Sequence, residues 1–256
     1  MANLSSMTHR MSRLAARHLD KKWLPIRGPG IVSICFDDAP QSACTQGAEL
    51  LEASGGRGTF YVCGGLTGGQ EQGRACHQRQ DLLRLHANGH EIGCHTYQHL
   101  HCGQIAIEAL AVDWLRNKAF FVETNLLEPE GFAFPFGEYT FPSKQRALRS
   151  SPSGGGFRYT RSTAGGLMRD QAPLDLLPAQ ALYTHTPPEY IHELIQQTSL
   201  GNAWLILYTH EVEETAGQWG ITPVRLRETL EWITQAGCQI LSVKEAINEL
   251  EKRAKE

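Results

Sequence analysis

The sequence predicts an α/β fold: a parallel sheet whose strands are joined by right-handed helical crossovers, as an open sheet or a barrel. Three observations predict it. Short apolar runs rich in β-branched and aromatic residues alternate with segments of helical periodicity along the chain. Ionisable residues recur directly behind those runs, where parallel α/β sheets build their sites. No internal repeat, low-complexity tract or linker divides the 256 residues, which suffice for one domain with a full core.

The elements follow in order. Ile31 to Phe36 is the first strand, stopped by Asp37-Asp38-Ala39-Pro40. Ser42 to Ser54 has helical spacing and ends at Gly55-Gly56; Thr59 to Cys63 is the second strand. Gly64 to Gly73 matches no phosphate-binding signature and reads as a flexible connection. Gln80 to Ala87 is a helix with Asn88-Gly89 as its stop, and His90 to Cys94 a short strand. Gln104 to Asn125 is a long helix whose apolar face carries Ile105, Ala109, Val112, Leu115, Ala119 and Val122. Gly131 to Phe134 and Phe157 to Thr160 are strands, with a short helix expected at Ser143 to Leu148 and a loop at Ser151 to Gly156. Ala164 to Pro178 reads as loop, and Ala181 to Tyr183 as briefly extended. A helix from Pro188 to Thr198 precedes the most apolar strand, Trp204 to Tyr208. Pro223 to Ala236 is a helix, Gln239 to Leu241 the last strand, and Ser242-Val243-Lys244-Glu245 a capping box opening the last helix.

Composition excludes several classes. The formal net charge is -3 with no basic run, so no nucleic-acid partner is expected. No apolar stretch reaches membrane-span length, and Met1 to Lys22 lacks the apolar core of a signal peptide. Residues 1–28 are expected to be an extension, and 29–256 the domain. The seven cysteines are scattered and odd in number, which suits reduced thiols and a cytoplasmic protein. A homo-oligomer is compatible with all of this.

Asp37 and Asp38 stand side by side at a strand end and repel, a repulsion that a bound cation would offset; the plainer reading is a turn. His95 and His99, four apart, would share a face on a helical turn and can bite one metal. With Asp38 they make two nitrogens and one oxygen, a catalytic rather than a structural zinc set. Cys94 and Cys102 offer a closed alternative, although Cys94 adjoins His95 and should point to the other side of the chain. His210 follows the most apolar strand.

In this order and context, Phe36-Asp37-Asp38-Ala39-Pro40, Gly89 to His99, Phe134-Pro135-Phe136-Gly137 and Leu207-Tyr208-Thr209-His210 resemble the polysaccharide deacetylases, carbohydrate esterase family four, over about residues 31–245. The resemblance implies a distorted (β/α) barrel of about seven strands in a single domain, and a divalent metal, usually zinc, on Asp38, His95 and His99. It implies Asp37 as general base, His210 as general acid, and a backbone N–H near Phe136 as partner for the oxyanion. Pro135, Gly137, Tyr139, Tyr208 and Trp219 become candidate substrate contacts; Tyr97 and Trp204 are further aromatics, more in keeping with packing. Three departures stand out. Ala39 replaces a usual Gly. Ala133 stands where the family carries an Arg that pairs with the base, leaving Arg161 as a candidate guanidinium. No Asp-Trp segment orients His210, for which Asp170 or Asp175 is a substitute.

The function expected is metal-dependent hydrolysis of an N-acyl, above all N-acetyl, group on a small or lipid-linked saccharide. The alternatives are a hydrolase of a cyclic or ureide amide on the same scaffold and a non-catalytic carbohydrate-binding relative.

Overall fold

The computed structural model describes residues 22–138 and 156–256. The expected arm over residues 1–21, the helix expected at Ser143–Leu148, most of the Ser151–Gly156 loop and the candidate Tyr139 lie outside the described residues. The elements in chain order are β1 (Trp23–Pro25), β2 (Ile31–Phe36), a π-helical turn (Ala43–Gly47) running into α1 (Ala48–Ala53), β3 (Thr59–Val62), a 3-10 turn (Gly64–Leu66), β4 (Gln70–Glu71), β5 (Arg74–Ala75), α2 (Arg79–Ala87), β6 (Glu91–Cys94) and α3 (Ile107–Glu123). There follow β7 (Gly131–Ala133), a second 3-10 turn (Pro135–Gly137), β8 (Tyr159–Arg161), β9 (Leu167–Arg169), β10 (Gln171–Pro173), β11 (Gln180–Ala181), α4 (Pro188–Ser199), β12 (Ala203–Thr209), α5 (Pro223–Gln235), β13 (Gln239–Ile240) and α6 (Val243–Arg253).

Seven strands form one curled parallel sheet in the order β11-β12-β2-β3-β6-β7-β8. β13 adds to the start of β2 in parallel, and β9 to the start of β12 in antiparallel. Along the far edge of β8, Thr160 N–H donates to Leu174 O (2.9 Å) and Leu177 N–H donates back to Thr160 O (2.8 Å), so the segment leading to β11 continues the curl. The result is a half-barrel in a single domain.

Both faces of the central strands are buried, which is why they read as unbroken apolar runs. On β2, Val32, Ile34 and Phe36 join the core under α4 and α5; Ile31 and Cys35 point to the opposite face, shared with β1 and α6. β12 divides likewise: Leu205 and Leu207 on one side, Trp204, Ile206 and Tyr208 on the other. The capping box forms as expected, Glu245 N–H donating to Ser242 Oγ (3.2 Å) and Ser242 N–H to Glu245 Oε2 (3.0 Å).

Four expectations are corrected. The Gly64–Gly73 connection is ordered: Gln72 and Gly73, both with positive φ, turn β4 back on β5. Ala164–Pro178 contains β9 and β10. Leu24 and Ile26 of the expected extension belong to the core, where β1 pairs with β10. The apolar face expected on α3 points outward: Val112, Leu115 and Val122 are 66%, 49% and 59% exposed.

The buried face of α3 carries Leu110, Trp114 and Phe121 together with Asp113 and Asn117. These two polar side chains bond backbone of the neighbouring turns. Asp113 accepts the N–H groups of Tyr97 (2.6 Å) and Gln98 (3.2 Å). Asn117 accepts Gly64 N–H (2.9 Å) and donates to Val62 O (3.0 Å). Apolarity alone cannot find a face whose polar members bond backbone. Asn117→Leu strands the buried Gly64 N–H, while Val62 O keeps the N–H of His95; it is expected to lower unfolding free energy by about 1–3 kcal/mol, whereas Val112→Ser stays within about 0.5 kcal/mol. Denaturant titration of both variants checks this.

Candidate active site

Parallel topology brings the carboxyl ends of β2, β6, β7, β8 and β12 to one mouth. Asp37 N–H donates to Thr209 O (2.9 Å), extending the β2–β12 ladder by one step. Asp38 and Ala39 then turn sharply, with φ of 60° and 46°. The carboxylates diverge in partner and in charge.

Asp37 is buried and accepts a hydrogen bond from the Arg161 guanidinium. Arg161 is itself fully buried, with its guanidinium over the rings of Tyr61 (4.9 Å) and Tyr208 (5.1 Å). Burial alone would raise the Asp37 pKa; the cation of Arg161, with His95 and His210, holds it below the ordinary value. Arg161 therefore takes up the place the sequence left empty, for Ala133 and Arg161 are direct partners on neighbouring strands. Arg161 stands one strand along the mouth from Ala133, at the same level.

Asp38 faces the two histidines. His95 donates Nδ1–H to Ala133 O (2.9 Å), and His99 donates Nδ1–H to Glu71 Oε1 (3.0 Å). Each tautomer is thereby fixed with Nε2 turned to Asp38 Oδ1, at 3.5 Å and 3.2 Å. Residues 95–101 are not helical, contrary to expectation; Thr96 and His99 have φ of 66° and 52°, and this looped path brings the rings together. Burial lowers the His95 pKa to about 3, keeping the neutral imidazole a metal needs, and raises the Asp38 carboxyl to about 6. Asp38 Oδ1 is buried without a hydrogen-bond partner. Two imidazole nitrogens and an orphaned carboxylate oxygen, within 4.8 Å of one another, fit a divalent cation; among the described residues they are the single such group.

The cysteine alternative does not assemble. Cys94 Sγ accepts from Asn117 (3.1 Å) and packs with Cys102, Trp114 and Phe132. All seven thiols are buried and unpaired, and burial raises Cys76 to about 11 and Cys94 to about 12.

His210 lies across the mouth, its Nε2 3.8 Å from Asp38 Oδ2. Its Nδ1–H donates to the carbonyl of Trp219 (3.2 Å). That carbonyl orients the ring; neither expected aspartate does. Asp170 turns β9 into β10, Asp175 accepts the Lys22 N–H (2.6 Å), and neither lines the cleft.

The cleft above these groups is about 610 Å³. Phe136, Gly137, Tyr208 and Trp219 line it as expected; Pro135 is buried beside it, Trp204 is core, and Tyr97 lies beneath Arg116. Phe136 has φ 56° and lies between the rings of His99 (4.4 Å) and His101 (3.8 Å). Sequence reasoning missed Glu71, Arg74, Tyr183 and Glu211. Glu71 and Arg74 ride on the β4–β5 hairpin, whose signal was Gln72-Gly73, a two-residue turn with Gly second. Arg74 meets Glu211 (3.2 Å), tying that hairpin to the loop behind β12. Nine non-glycine residues among those described have positive φ; four of them (Asp38, Gln72, His99 and Phe136) line this cleft, and Ala39 and Thr96 adjoin its residues Asp38 and His95 in the chain. Each costs on the order of 1 kcal/mol, a concentration characteristic of functional sites.

The polysaccharide deacetylase family model matches residues 26–150. This segment belongs to the polysaccharide deacetylase family. The chain is 34% identical over 71 residues to a chitin deacetylase of Colletotrichum lindemuthianum, a match covering 28% of this chain and 27% of that protein. It thus spans about a quarter of the length of that curated relative. The solved structure of the chitin deacetylase from the same fungus superposes with a TM-score of 0.61 at 19% identity, covering 87% of this chain and 89% of the other. The peptidoglycan deacetylase PdaC of Bacillus subtilis gives 0.56 at 16%, covering 89% and 94%. At those identities the superpositions show a shared deacetylase fold.

The Asp37–Arg161 pair makes a testable demand. Removing one partner leaves an unpaired buried charge, so Arg161→Met is expected to cost about 3–5 kcal/mol of stability. The double variant Asp37→Asn with Arg161→Met should recover most of that loss. Equal losses in the single and double variants, by thermal and denaturant melts, would show that the charges are not coupled.

Proposed function

We propose that this protein hydrolyses the N-acetyl group of an amino sugar with the help of a divalent metal, most simply zinc. The observation that carries the reading is the shared cleft: a fitted two-nitrogen, one-oxygen ligand set, a carboxylate held ionised beside it, and a histidine oriented across it. Family membership supports deacetylation as the reaction class.

Asp38, His95 and His99 would hold the ion. When bound, it supplies a Lewis acid for the acyl oxygen and for water. Asp37, kept ionised by Arg161, accepts the proton of the attacking water as general base. The backbone N–H at Phe136 donates to the oxyanion, worth a few kcal/mol. His210, with Nδ1–H committed to Trp219 O, presents Nε2 to the leaving amine and delivers its proton. Trp219 and Tyr183, ring centroids 5.6 Å apart, offer an aromatic wall to the sugar. A cleft of this volume suits a small or lipid-linked saccharide. Seven unpaired thiols suit a reducing, cytoplasmic setting, and no described helix is long and apolar enough to cross a membrane.

The test is metal content together with acetate release from a panel of N-acetylated amino sugars. About one metal per chain is expected, with turnover that chelation abolishes and zinc restores. Asp37→Asn should keep the metal and saccharide binding while kcat falls by about 10²–10⁴. Metal without turnover on any sugar would turn the reading towards a non-sugar amide, and a metal-free protein would end it.

A further inference from the structure

Asp38 can serve as a ligand only if the chain turns left-handed at Asp38 and again at Ala39, and neither residue is glycine. Ala39 is fully buried with its methyl group in the core, so the turn cannot relax towards solvent. Something must hold its peptides. The Ala39 carbonyl accepts two hydrogen bonds: one from His77 Nδ1–H (3.1 Å), the other from the Cys44 thiol (3.4 Å).

His77 lies far from the metal group in sequence and outside the cleft. It too is fully buried. A carbonyl can only accept, so Nδ1 carries the proton, and Nε2 accepts from Thr67 Oγ–H (3.0 Å). Burial lowers the His77 pKa, consistent with this neutral tautomer. Its strand segment is locked to the turn as well: Pro40 and Cys76 form a β-bridge, Gly68 N–H donates to His77 O (2.9 Å), and Cys76 N–H to Gly69 O (3.0 Å). The hairpin that delivers Glu71 to His99 therefore ends by delivering His77 to the Asp38–Ala39 turn.

We infer that His77 is a positioning residue, whose Nδ1–H bond to the Ala39 carbonyl holds the left-handed Asp38–Ala39 turn and so presents the Asp38 carboxylate to the cation. The inference rests on the metal-site reading above. It also gives Ala39 a reason: a clamped turn tolerates a side chain where an unclamped one needs glycine.

The experiment is zinc titration by calorimetry against a competing chelator, alongside thermal melts of the metal-free chains. His77→Phe keeps a ring but has no donor, and should weaken zinc binding by about 10–100-fold, the usual effect of losing a group that orients a ligand. His77→Asn, whose amide nitrogen replaces Nδ1, should stay within about threefold of the parent. Adding Ala39→Gly to His77→Phe should restore most of the lost affinity, because glycine adopts this turn without help. A purely structural role predicts a lower Tm with zinc affinity unchanged, or a loss that Ala39→Gly does not relieve; either result overturns the inference. If His77→Phe does not fold, Thr67→Val, which frees the His77 tautomer, is expected to weaken zinc binding by about threefold, and unchanged binding overturns it. A parent protein that takes up no zinc overturns the metal-site reading itself, and this inference with it.

Discussion

The hydrogen-bonded ion pair between Asp37 and Arg161 is the constraint on which the rest of the molecule depends. The two residues come from β2 and β8, four positions apart in the sheet. In a flat sheet, strands so placed would be about 19 Å apart. The pair therefore exists only because the sheet curls, and it closes like a chord across the mouth. Its cation is sandwiched between aromatic faces from β3 and β12, so four strands contribute to one charge balance. Buried ion pairs stabilise only when their geometry is fixed. Here the rigidity of the half-barrel fixes it, and the result is a carboxylate held ionised inside the cleft.

Around that pair the backbone is held in unfavourable conformations. Left-handed residues bring Asp38, His99 and Phe136 to the cleft, where regular strand ends would have carried them past it. The supporting bonds come from polar side chains rooted elsewhere: Asp113 and Asn117 on α3, Glu71 on the hairpin, His77 behind it. Each of these residues serves a turn and not the chemistry.

Much of this was legible in the sequence, for a physical reason. Strands buried on both faces must be continuously apolar, and a parallel sheet must place its ionisable residues behind them, so Ile31–Phe36 and Trp204–Tyr208 announced both themselves and the site. The meeting of Asp38, His95 and His99 followed from residue type and spacing, although His95 and His99 come together through a left-handed loop and not through the helical turn their spacing suggested. What stayed hidden was whatever depends on partners distant in the chain. The outward face of α3 shows an unbroken apolar stripe at helical spacing, whereas the inward face interrupts Leu110, Trp114, Phe120 and Phe121 with two positions spent on backbone hydrogen bonds. Arg161 was ambiguous until its register against Ala133 was visible. The orientation of His210 by a main-chain carbonyl has no side-chain signature, and Asp170 and Asp175 were therefore the wrong place to look. The short antiparallel strands carry too few residues to show a period.

The buried thiols have a consequence for handling the molecule. Nucleophilic attack by cysteine proceeds through the thiolate. With Cys76 raised to about 11, Cys94 to about 12, and every cysteine buried, the native chain offers almost no thiolate at neutral pH. An alkylating reagent must wait for the fold to open. The rate of labelling at each of the seven positions then becomes a clock for the opening of its own neighbourhood: Cys44 for the ligand-bearing turn, Cys238 for the segment leading into β13, and Cys94 for the heart of the sheet.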